Sequence, residues 1–335
     1  MPSEIGVVGA GAWGTALAKL LADKGQEITL WCHGDESFRD IAENRENRAY
    51  LPAIALPATI KATQSIRETV LGKRLIVIAL PSHVVREVLT DAATTIDRRT
   101  MILCGTKGLE EETAKTMGAL LLDLFGSGAQ AYLAFLSGPT FAVEVARELP
   151  AAVTVAAFDL VVAKSIQELL STQSFRVYTS ADVIGVQMGG VIKNVIAIAA
   201  GISDGLSLGQ NARAALITRG LAEMTRLAVR MGADPLTLAG LPGLGDLILT
   251  CAGDLSRNRS VGLQIARGKQ LNEITSRTRT IAEGVRNTRT VCLLAERLQV
   301  DMPIVEQMAQ VLYGGKEPAS AVRDLMLRSL KAEAG

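Results

Sequence analysis

The segment EIGVVGAGAWGTALAKLLADKGQEITLWCH, residues 4–33, combines an apolar run, three glycines spaced G-x-G-x-x-G, a helical pattern and a second apolar run. This order predicts a strand, a glycine turn, a helix and a strand. Gly9 permits the tight turn, Gly11 lets a pyrophosphate approach the backbone, and Gly14 lets the helix pack on the strand. The exposed N–H groups of the helix N-terminus favour an anion. The segment therefore predicts a dinucleotide-binding turn.

The end of the second apolar run departs from the usual NAD pattern. An NAD-binding protein normally places an Asp or Glu about 20 residues after the glycines, where it binds the ribose hydroxyls. Here His33 occupies that region, and the nearest acids, Asp35 and Glu36, come slightly later. Histidine can donate to a 2′-phosphate that a carboxylate would repel, although a plain polar loop residue is the alternative. We expect the chain to accept NADP, with NAD as the other cofactor.

Three later apolar runs each end in a loop that carries polar residues. They are RLIVIALPSHVV (74–85), TMILCGTKGLE (100–110) and AYLAFLSGPTFA (131–142), and their loops contain His83, Lys107, Gly138 and Thr140. Continuous apolar strands separated by helical segments predict a parallel, doubly wound sheet. Ligands of such sheets bind at the carboxyl ends of the strands, so these loop residues are candidates for a site. A further strand pair near 150–157 and 174–178 is expected to complete the sheet.

The pattern changes to long helical segments near residue 180. A chain of 335 residues is long for one core, so two domains are expected. We predict an α/β N-terminal domain with a Rossmann-like doubly wound sheet over residues 1–180. An all-α C-terminal domain follows over residues 181–335, and Ser180 is the predicted N-cap of its first helix.

Composition excludes several classes of protein. Of the residues, 48% are hydrophobic and 21% charged, and the formal net charge is +1. This balance is typical of a soluble globular protein, and no block of like charges indicates nucleic-acid binding. Uninterrupted apolar stretches are too short for an integral membrane segment, and the glycine motif begins too early for a signal peptide. Four scattered cysteines, Cys32, Cys104, Cys251 and Cys292, are typical of thiols in a reducing cytoplasm.

Lys193 lies within GGVIKNVIAIAA, residues 189–200, among small and aliphatic side chains. Such an amine is a surface charge, a structural ion-pair partner or a catalytic group. On a helix it shares a face with Gly189 and Gly190, which leave a groove for another backbone or a flat ring. Burial would lower its pKa and allow proton exchange near neutral pH. The chain has no Tyr-x-x-x-Lys pair and no Cys/His cluster for zinc, so His83 is the competing general base.

A second polar group lies farther along the chain. Asp246 falls in a glycine-bounded turn within GLGDLILTC, residues 243–251. Ser256 is the predicted N-cap of the next helix, and Arg257 follows where N–H groups attract anions. A guanidinium beside a helix N-terminus suits a phosphate. A capped surface helix with a solvated arginine is the alternative that these residues leave open.

A family resemblance appears once these motifs are taken together. GAGAWGTALA, LPSHVVREVL, GTKGLE, SGPTFAVEVA, GGVIKNVIAIAAGISDGLSLGQNARAALITRGLAEM, GLGDLILTC, SRNRSVG and AEGVRNT occur in that order. Together they resemble the bacterial NAD(P)-dependent glycerol-3-phosphate dehydrogenase family over most of the chain. The resemblance implies interconversion of sn-glycerol 3-phosphate and dihydroxyacetone phosphate, which supplies glycerol 3-phosphate for phospholipid synthesis.

The resemblance also implies roles for individual residues. Lys193 corresponds to the proton acceptor. The substrate-contacting positions correspond to Lys107, Gly138, Thr140, Lys193, Asp246, Ser256, Arg257 and Asn258. Besides the glycines, the cofactor positions correspond to Ala12, Trp13, His33, Tyr50, Lys107, Ala142, Arg257, Ile281 and Glu283. Ala12 departs from the serine or asparagine often found there, which removes one side-chain donor to the pyrophosphate and leaves the backbone donors.

These assignments lead to one mechanism and two alternatives. Lys193 would exchange a proton with the C2 oxygen, Asn194 and Asp246 would orient it, and Lys107 would stabilise oxyanion charge. A related 3-hydroxyacid dehydrogenase would bind a carboxylate instead of a phosphate. A non-catalytic dinucleotide sensor would bind NADPH without turnover. We expect a small phosphorylated three-carbon substrate, and the aliphatic faces of the C-terminal half leave a homodimer open.

Overall fold

The N-terminal half forms one eight-stranded sheet in a computed structural model that describes residues 4–276, 282–330 and 332–333. The strands are β1 (Ile5–Val8), β2 (Ile28–Trp31), β3 (Ile60–Thr63), β4 (Leu75–Ile78), β5 (Met101–Cys104), β6 (Leu133–Ser137), β7 (Ala151–Ala157) and β8 (Phe175–Ser180). Their order is β3-β2-β1-β4-β5-β6-β7-β8. The order in which strands are added to the sheet thus reverses between β1 and β4, and β1 is the strand that leads into the glycine turn. The predicted Rossmann-like fold is confirmed.

The first six strands are parallel, whereas β7 pairs antiparallel with β6, and β8 pairs parallel with β7. The predicted parallel sheet is therefore confirmed over six strands, and the further strand pair that was expected runs in the opposite direction to them. The helix between β6 and β7, Ala142–Ala146, has five residues and is only about 7.5 Å long. This helix is too short to carry the chain back to the level at which β6 begins. β7 therefore starts beside the carboxyl end of β6 and runs antiparallel to it.

Helices cover both faces of the sheet and make up most of the C-terminal half. Within the first 180 residues they are α1 (Ala12–Asp23), α2 (Asp35–Asn44), α3 (Ile66–Val70), α4 (Val85–Thr90), α5 (Met117–Phe125), α6 (Ala142–Ala146) and α7 (Leu160–Leu170). Beyond them lie α8 (Val183–Gly205), α9 (Gly209–Arg230), α10 (Pro235–Ala239), α11 (Asp246–Ala252), α12 (Arg257–Ala266), α13 (Leu271–Ser276), α14 (Glu283–Leu298), α15 (Pro303–Tyr313) and α16 (Pro318–Met326). Short 3₁₀ turns occur at Ser82–Val84, Ala93–Thr95 and Ser127–Ala131, and a π turn at Leu241–Gly245.

Three groups of buried apolar side chains hold these layers together. One group packs α1, α2 and α7 on the first face of the sheet and includes Leu17 and Ile41. A second packs α4 and α5 on the other face and includes Leu89 and Leu120. The third surrounds α8 and joins it to α9, α11, α14 and α15. The sheet is therefore buried on both faces, as a doubly wound fold requires.

Helix α8 is the central element of the C-terminal half. It is the one helix of the described residues that is long and apolar enough to cross a membrane, but 89% of its most apolar 18-residue window is buried inside the protein. Its N-cap is Asp182, whose side chain accepts a bond from the Gly185 N–H at 2.8 Å. The prediction of Ser180 as N-cap is wrong, because the Ser180 hydroxyl accepts from the Asp182 N–H one step before the helix begins.

Glycines bring α8 into backbone contact with its neighbours. A Cβ added at Gly201 would lie 2.0 Å from the Arg259 carbonyl oxygen of α12, and one at Gly262 would lie 2.0 Å from the Ile198 carbonyl oxygen of α8. At the other end of the helix, a Cβ at Gly189 would lie 2.2 Å from the Pro242 carbonyl oxygen. No larger residue fits these positions without moving a backbone, so α8 fixes the positions of α12 and the π turn.

Candidate active site

The glycine turn between β1 and α1 has the geometry that its spacing predicts. Gly9 has a φ of +115°, which L-residues with a side chain rarely adopt. A Cβ at Gly14 would lie 1.8 Å from the Gly9 carbonyl oxygen, so only glycine lets α1 approach β1 here. A Cβ at Gly11, in contrast, would meet nothing within 4 Å. The turn is therefore tightly packed at Gly9 and Gly14, whereas the space beside Gly11 is free for a ligand.

The N-terminus of α1 has features that fit an anionic dinucleotide. Gly11 is its N-cap and offers no side-chain acceptor, and Ala12 begins the helix, so the first N–H groups are not capped by a side chain. The Trp13 indole N–H is buried and has no partner among the described residues. Trp13 lies against Gly105 at the end of β5, two residues before Lys107. The turn and the Lys107 loop therefore border the same space.

The other predicted cofactor positions lie around this turn or outside it. His33 is exposed just after β2, and its ring centroid lies 5.7 Å from that of Trp31. Tyr50 is half-buried, and its backbone N–H donates to the Asn47 carbonyl. Ala142 begins α6 after the β6 loop. Ile281 lies outside the described residues.

Lys193 and Lys107 share one carboxylate. The Lys193 Nζ lies 2.6 Å from Asp246 Oδ1, and the Lys107 Nζ lies 2.7 Å from Asp246 Oδ2. Asp246 is fully buried, and the Lys193 side chain is 8% exposed. Lys107 also donates to the Gly138 carbonyl at 3.3 Å, and the Thr140 hydroxyl donates to the same oxygen at 3.2 Å. Five predicted substrate positions are thus joined through hydrogen bonds.

The surroundings of Lys193 change the pKa of its amine. Burial lowers the pKa of Lys193 from 10.5 to about 8, because the charged form loses its hydration. The negative charge of Asp246 raises the pKa, and the positive charge of Lys107 lowers it further. The amine therefore changes between its charged and neutral forms close to physiological pH.

The groove beside Lys193 is filled by the protein itself. Gly189 packs on the backbone at Pro242, and a Cβ at Gly190 would lie 3.2 Å from the Lys107 side chain. Of the two partners left open for this groove, a backbone and a ring, the backbone is found at Gly189. At Gly190 the absence of a side chain lets the aliphatic part of Lys107 pack against α8.

Two details of the lysine environment differ from expectation. Within the described part of the chain, the Asn194 amide donates to the Gly190 carbonyl and accepts from Asn258, and it does not contact Lys193. The prediction that Asn194 orients the lysine is wrong, because adjacent residues on a helix face different neighbours. Thr250 takes that role, since Lys193 donates to its hydroxyl at 2.9 Å. Asp246 is the first residue of α11 and does not lie in a loop. Residues four apart on a helix share a face, so this spacing was the sequence signal that could have placed Thr250 beside Asp246.

The predicted phosphate-binding residues lie at the start of α12. The Ser256 side chain accepts from the Arg259 N–H, which confirms it as the N-cap, and Arg257 is exposed at the first helical position. Arg259 is bonded to Asp204 at the end of α8 at 2.8 Å. This ion pair and the glycine contacts hold the N-terminus of α12 beside α8.

Asn258 and Glu283 connect this helix to other parts of the site. Asn258 donates to Asn194 and accepts from the Gly284 N–H, both at 2.9 Å, so it joins α8, α12 and α14. Glu283 accepts bonds from the Ser82 N–H and hydroxyl at 3.4 and 3.1 Å. Burial raises the pKa of Glu283 against the opposing effect of these bonds. The Ser82–Glu283 contact, which the sequence did not indicate, joins the loop after β4 to α14.

His83 lies in a different setting from Lys193. It is exposed in the short turn after β4, and the partial loss of hydration on the protein-facing side of its ring, followed by the Arg286 charge, lowers its pKa below 6.5. Neither a carboxylate nor a hydroxyl holds its ring among the hydrogen bonds of the described residues. The geometry therefore favours Lys193 over His83 as the proton-exchanging group.

Comparisons with known proteins agree with this arrangement. The family description "NAD-dependent glycerol-3-phosphate dehydrogenase N-terminus" matches residues 4–163, and the corresponding C-terminus description matches residues 182–323. Glycerol-3-phosphate dehydrogenase [NAD(P)+] of Citrifermentans bemidjiense is 51% identical over 99% of both chains. The protein of the same name from Anaeromyxobacter sp. is 52% identical over 98% of both. A crystal structure of glycerol-3-phosphate dehydrogenase from Coxiella burnetii aligns with a TM-score of 0.93, at 41% identity, over 97% of this chain and 99% of that one.

Proposed function

Because the chain belongs to the NAD-dependent glycerol-3-phosphate dehydrogenase family, we propose that Lys193 performs the proton transfer of this reaction. The protein is an NAD(P)-dependent oxidoreductase that interconverts sn-glycerol 3-phosphate and dihydroxyacetone phosphate and so supplies glycerol 3-phosphate for phospholipid synthesis. The observation that supports the role of Lys193 is its buried amine, with a pKa of about 8 and a carboxylate at 2.6 Å. The family match, and not the lysine, sets aside the 3-hydroxyacid dehydrogenase and the non-catalytic sensor.

Lys193 exchanges its proton with the oxygen on C2 of the substrate. In the direction of reduction the charged amine donates a proton to the carbonyl oxygen, which becomes the hydroxyl of glycerol 3-phosphate. In the direction of oxidation the neutral amine accepts the hydroxyl proton. The nicotinamide, when bound, supplies or accepts the hydride at C2. The pKa of about 8 leaves both forms of the amine populated near neutral pH.

Asp246, Thr250 and Lys107 prepare the lysine and the space beside it. Asp246 and Thr250 accept bonds from the amine and hold its position. Lys107, whose side chain is 18% exposed, is fixed by the other oxygen of the same carboxylate. Its charge stabilises the negative charge that develops on the C2 oxygen as the carbonyl is reduced.

The substrate phosphate is held at the N-terminus of α12. Arg257 offers a planar fork of donors, and Ser256 and Asn258 lie on either side of it in the chain. Gly138 and Thr140 complete the substrate site beside Lys107. Binding the phosphate at one end fixes which carbon faces the nicotinamide.

The cofactor is held by the glycine turn and its surroundings. Gly9, Gly11 and Gly14 admit the pyrophosphate to the N–H groups of Ala12 and Trp13. His33 and Tyr50 would hold the adenosine end, and His33 would donate to a 2′-phosphate. Lys107, Ala142, Arg257 and Glu283 would complete the cofactor site, and Ile281, the remaining predicted cofactor position, lies outside the described residues.

Residues 1–180 form the cofactor domain and residues 181–335 form the domain that carries Lys193. Support for this boundary comes from the end of β8 at Ser180 and the start of α8 at Val183. We also infer a cytoplasmic location, which is supported by the four free cysteines. Fractionation of cells that produce the protein with a tag tests the location.

A homodimer is the assembly that we propose. Exposed apolar side chains at the end of α16 support it: Met326 is 80% exposed and Leu327 81%. Sedimentation velocity of the wild type and of the Met326→Asp/Leu327→Asp double variant tests the proposal. We expect the wild type to sediment as a dimer and the variant as a monomer with normal folding. A wild type that is monomeric at all concentrations would refute the dimer.

A substrate panel read by nicotinamide absorbance tests the proposed function. We expect oxidation of NADPH and of NADH with dihydroxyacetone phosphate and no turnover of short 3-oxo acids. Turnover of a 3-oxo acid in preference to the phosphorylated ketone would contradict the phosphate site at Arg257.

A further inference from the structure

Asn47 is a buried polar residue beneath the glycine turn that the proposed mechanism does not use. It is fully buried, and its Nδ2 donates to the Ala10 carbonyl at 2.8 Å and to the Thr15 hydroxyl at 2.8 Å. Ala10 lies between the first two glycines of the turn, and Thr15 lies in the first turn of α1. One amide group therefore spans the loop that separates β1 from the helix.

The backbone of Asn47 extends this contact to a second part of the predicted cofactor site. Its carbonyl accepts bonds from the N–H groups of Tyr50 and Leu51 at 3.2 and 2.7 Å. The position of Tyr50 thus depends on the same residue that holds the glycine turn. Side chain and backbone of Asn47 together connect the two regions that would bind the pyrophosphate and the adenosine end.

The segment around Asn47 is anchored independently of the turn. Arg48 bonds to Asp40 of α2 through its N–H and guanidinium, at 2.7 and 2.8 Å. Arg45 donates to the Ile60 carbonyl of β3 at 2.8 Å. Because these neighbours fix the segment to α2 and the sheet, the Asn47 amide is a rigid support for the turn.

From these contacts we propose that Asn47 is a positioning residue for dinucleotide binding: it holds the carbonyl of Ala10 and the first turn of α1 so that the N–H groups at Gly11 to Trp13 point at the pyrophosphate. The proposal rests on the binding of NAD(P) at the glycine turn. Its specific content is that Asn47 acts on cofactor affinity without touching the cofactor. The substrate site around Lys193 does not depend on it.

The test uses Asn47→Leu and Asn47→Asp. Leucine keeps the branched shape of the side chain and removes both N–H donors, whereas aspartate places a carboxylate against the Ala10 carbonyl. We expect the Kd for NADPH and for ADP-ribose, measured by isothermal titration calorimetry, to rise by about 10- to 100-fold, as for a lost buried hydrogen bond. At saturating NADPH, we expect kcat and the KM for dihydroxyacetone phosphate to change by less than about 3-fold. A 3-fold change corresponds to roughly 0.7 kcal/mol.

Arg48→Ala is the matched control, since it loosens the same segment from α2 and leaves the Asn47 side chain in place. We expect it to change the Kd for NADPH far less than Asn47→Leu, even where the two variants lower the Tm equally. Equal losses of cofactor affinity in both variants, or unchanged affinity in Asn47→Leu, would overturn the proposal. If the wild-type protein itself bound neither NADPH nor ADP-ribose, the cofactor assignment would fail instead, so the two failures are distinguishable.

Discussion

The Nζ atom of Lys193 lies 2.6 Å from Oδ1 of Asp246, and both side chains are buried. The other oxygen of that carboxylate binds Lys107, so Asp246 forms ion pairs with two lysines. Burial, which removes the hydration of the charged amine, and the positive charge of Lys107 lower the pKa of Lys193 to about 8, although the negative charge of Asp246 opposes them. The relationship therefore accounts for the proton-exchange role that we propose for Lys193.

Replacing Lys193 with methionine keeps the aliphatic stem and removes the amine. We expect kcat to fall by roughly 100-fold or more, the usual effect of losing a positioned acid–base group. NADPH binding, followed by calorimetry, should be unchanged. His83→Ala is the control and should retain near-normal turnover. The opposite result, a large loss in His83→Ala and little in Lys193→Met, would transfer the role to His83.

The pH dependence of the reaction is expected to follow the pKa of Lys193. Reduction needs the charged amine, so its rate should fall as pH rises through about 8, and oxidation should rise over the same range. Asp246→Asn removes the attraction that raises this pKa, so the same limb should move to lower pH. Rates measured from pH 6 to about 10 in both directions check the shift. A limb that stays in place in Asp246→Asn would mean that another group titrates.

Truncating Arg257 tests phosphate recognition. We expect Arg257→Ala to cost about 2–5 kcal/mol of transition-state binding, because the phosphate charge loses its partner. Arg257→Lys should recover only part of this, since lysine lacks the planar fork. Comparing kcat/KM for dihydroxyacetone phosphate and unphosphorylated dihydroxyacetone isolates the effect. Proportional losses on both substrates would show that Arg257 supports the cofactor or the fold.

The His33→Asp variant tests how the adenosine ribose is recognised. A carboxylate at this exposed position would repel a 2′-phosphate and accept bonds from ribose hydroxyls. We expect the ratio of kcat/KM for NADPH to that for NADH to fall. His33→Asn, which adds no charge, is the control. An unchanged ratio in His33→Asp would place the recognition of the ribose at another residue, such as Tyr50.

The crossing of α8 and α12 can be tested through stability. In Gly201→Ala the new methyl group would lie 2.0 Å from the Arg259 carbonyl oxygen, so the helices must separate. We expect a loss of about 1–3 kcal/mol, as for overpacking elsewhere, together with reduced turnover. Gly128→Ala is the control because its Cβ would meet nothing within 4 Å. Denaturant unfolding of both variants checks the difference, and equal stabilities would show that the crossing tolerates expansion.

The sequence predicted those parts of the site that depend on local pattern. The glycine spacing after β1 predicted the turn, and the rule that ligands bind at the carboxyl ends of strands selected Lys107 and Thr140, together with His83. Lys193 stood out because a charge lay within an apolar helix. Each of these signals is contained in a short segment, so it can be recognised without knowing which distant segments pack against it.

The contacts that the sequence did not predict join distant segments. Asn47 meets the glycine turn only because the chain after α2 returns beneath it, and Ser82 meets Glu283 only because α14 packs beside the loop after β4. The N-cap of α8 depended on a choice between Ser180 and Asp182, two capping residues close together. The direction of β7 depends on the length of α6. Five residues are too few for hydrophobic periodicity to show where such a helix begins and ends.

The backbone contact between α8 and α12 gives the enzyme a fixed internal length. Side chains between two helices can change rotamer and let the helices slide, but a carbonyl oxygen packed on a glycine Cα has no such freedom. In the function that we propose, Lys193 exchanges the proton and the start of α12 holds the phosphate, so the helix crossing helps to set the distance between these two groups. Selection among homologous substrates of different chain length is then a property of the helix crossing. A lineage that adopted a longer substrate would have to change the crossing or the length of the side chains that reach the substrate from it.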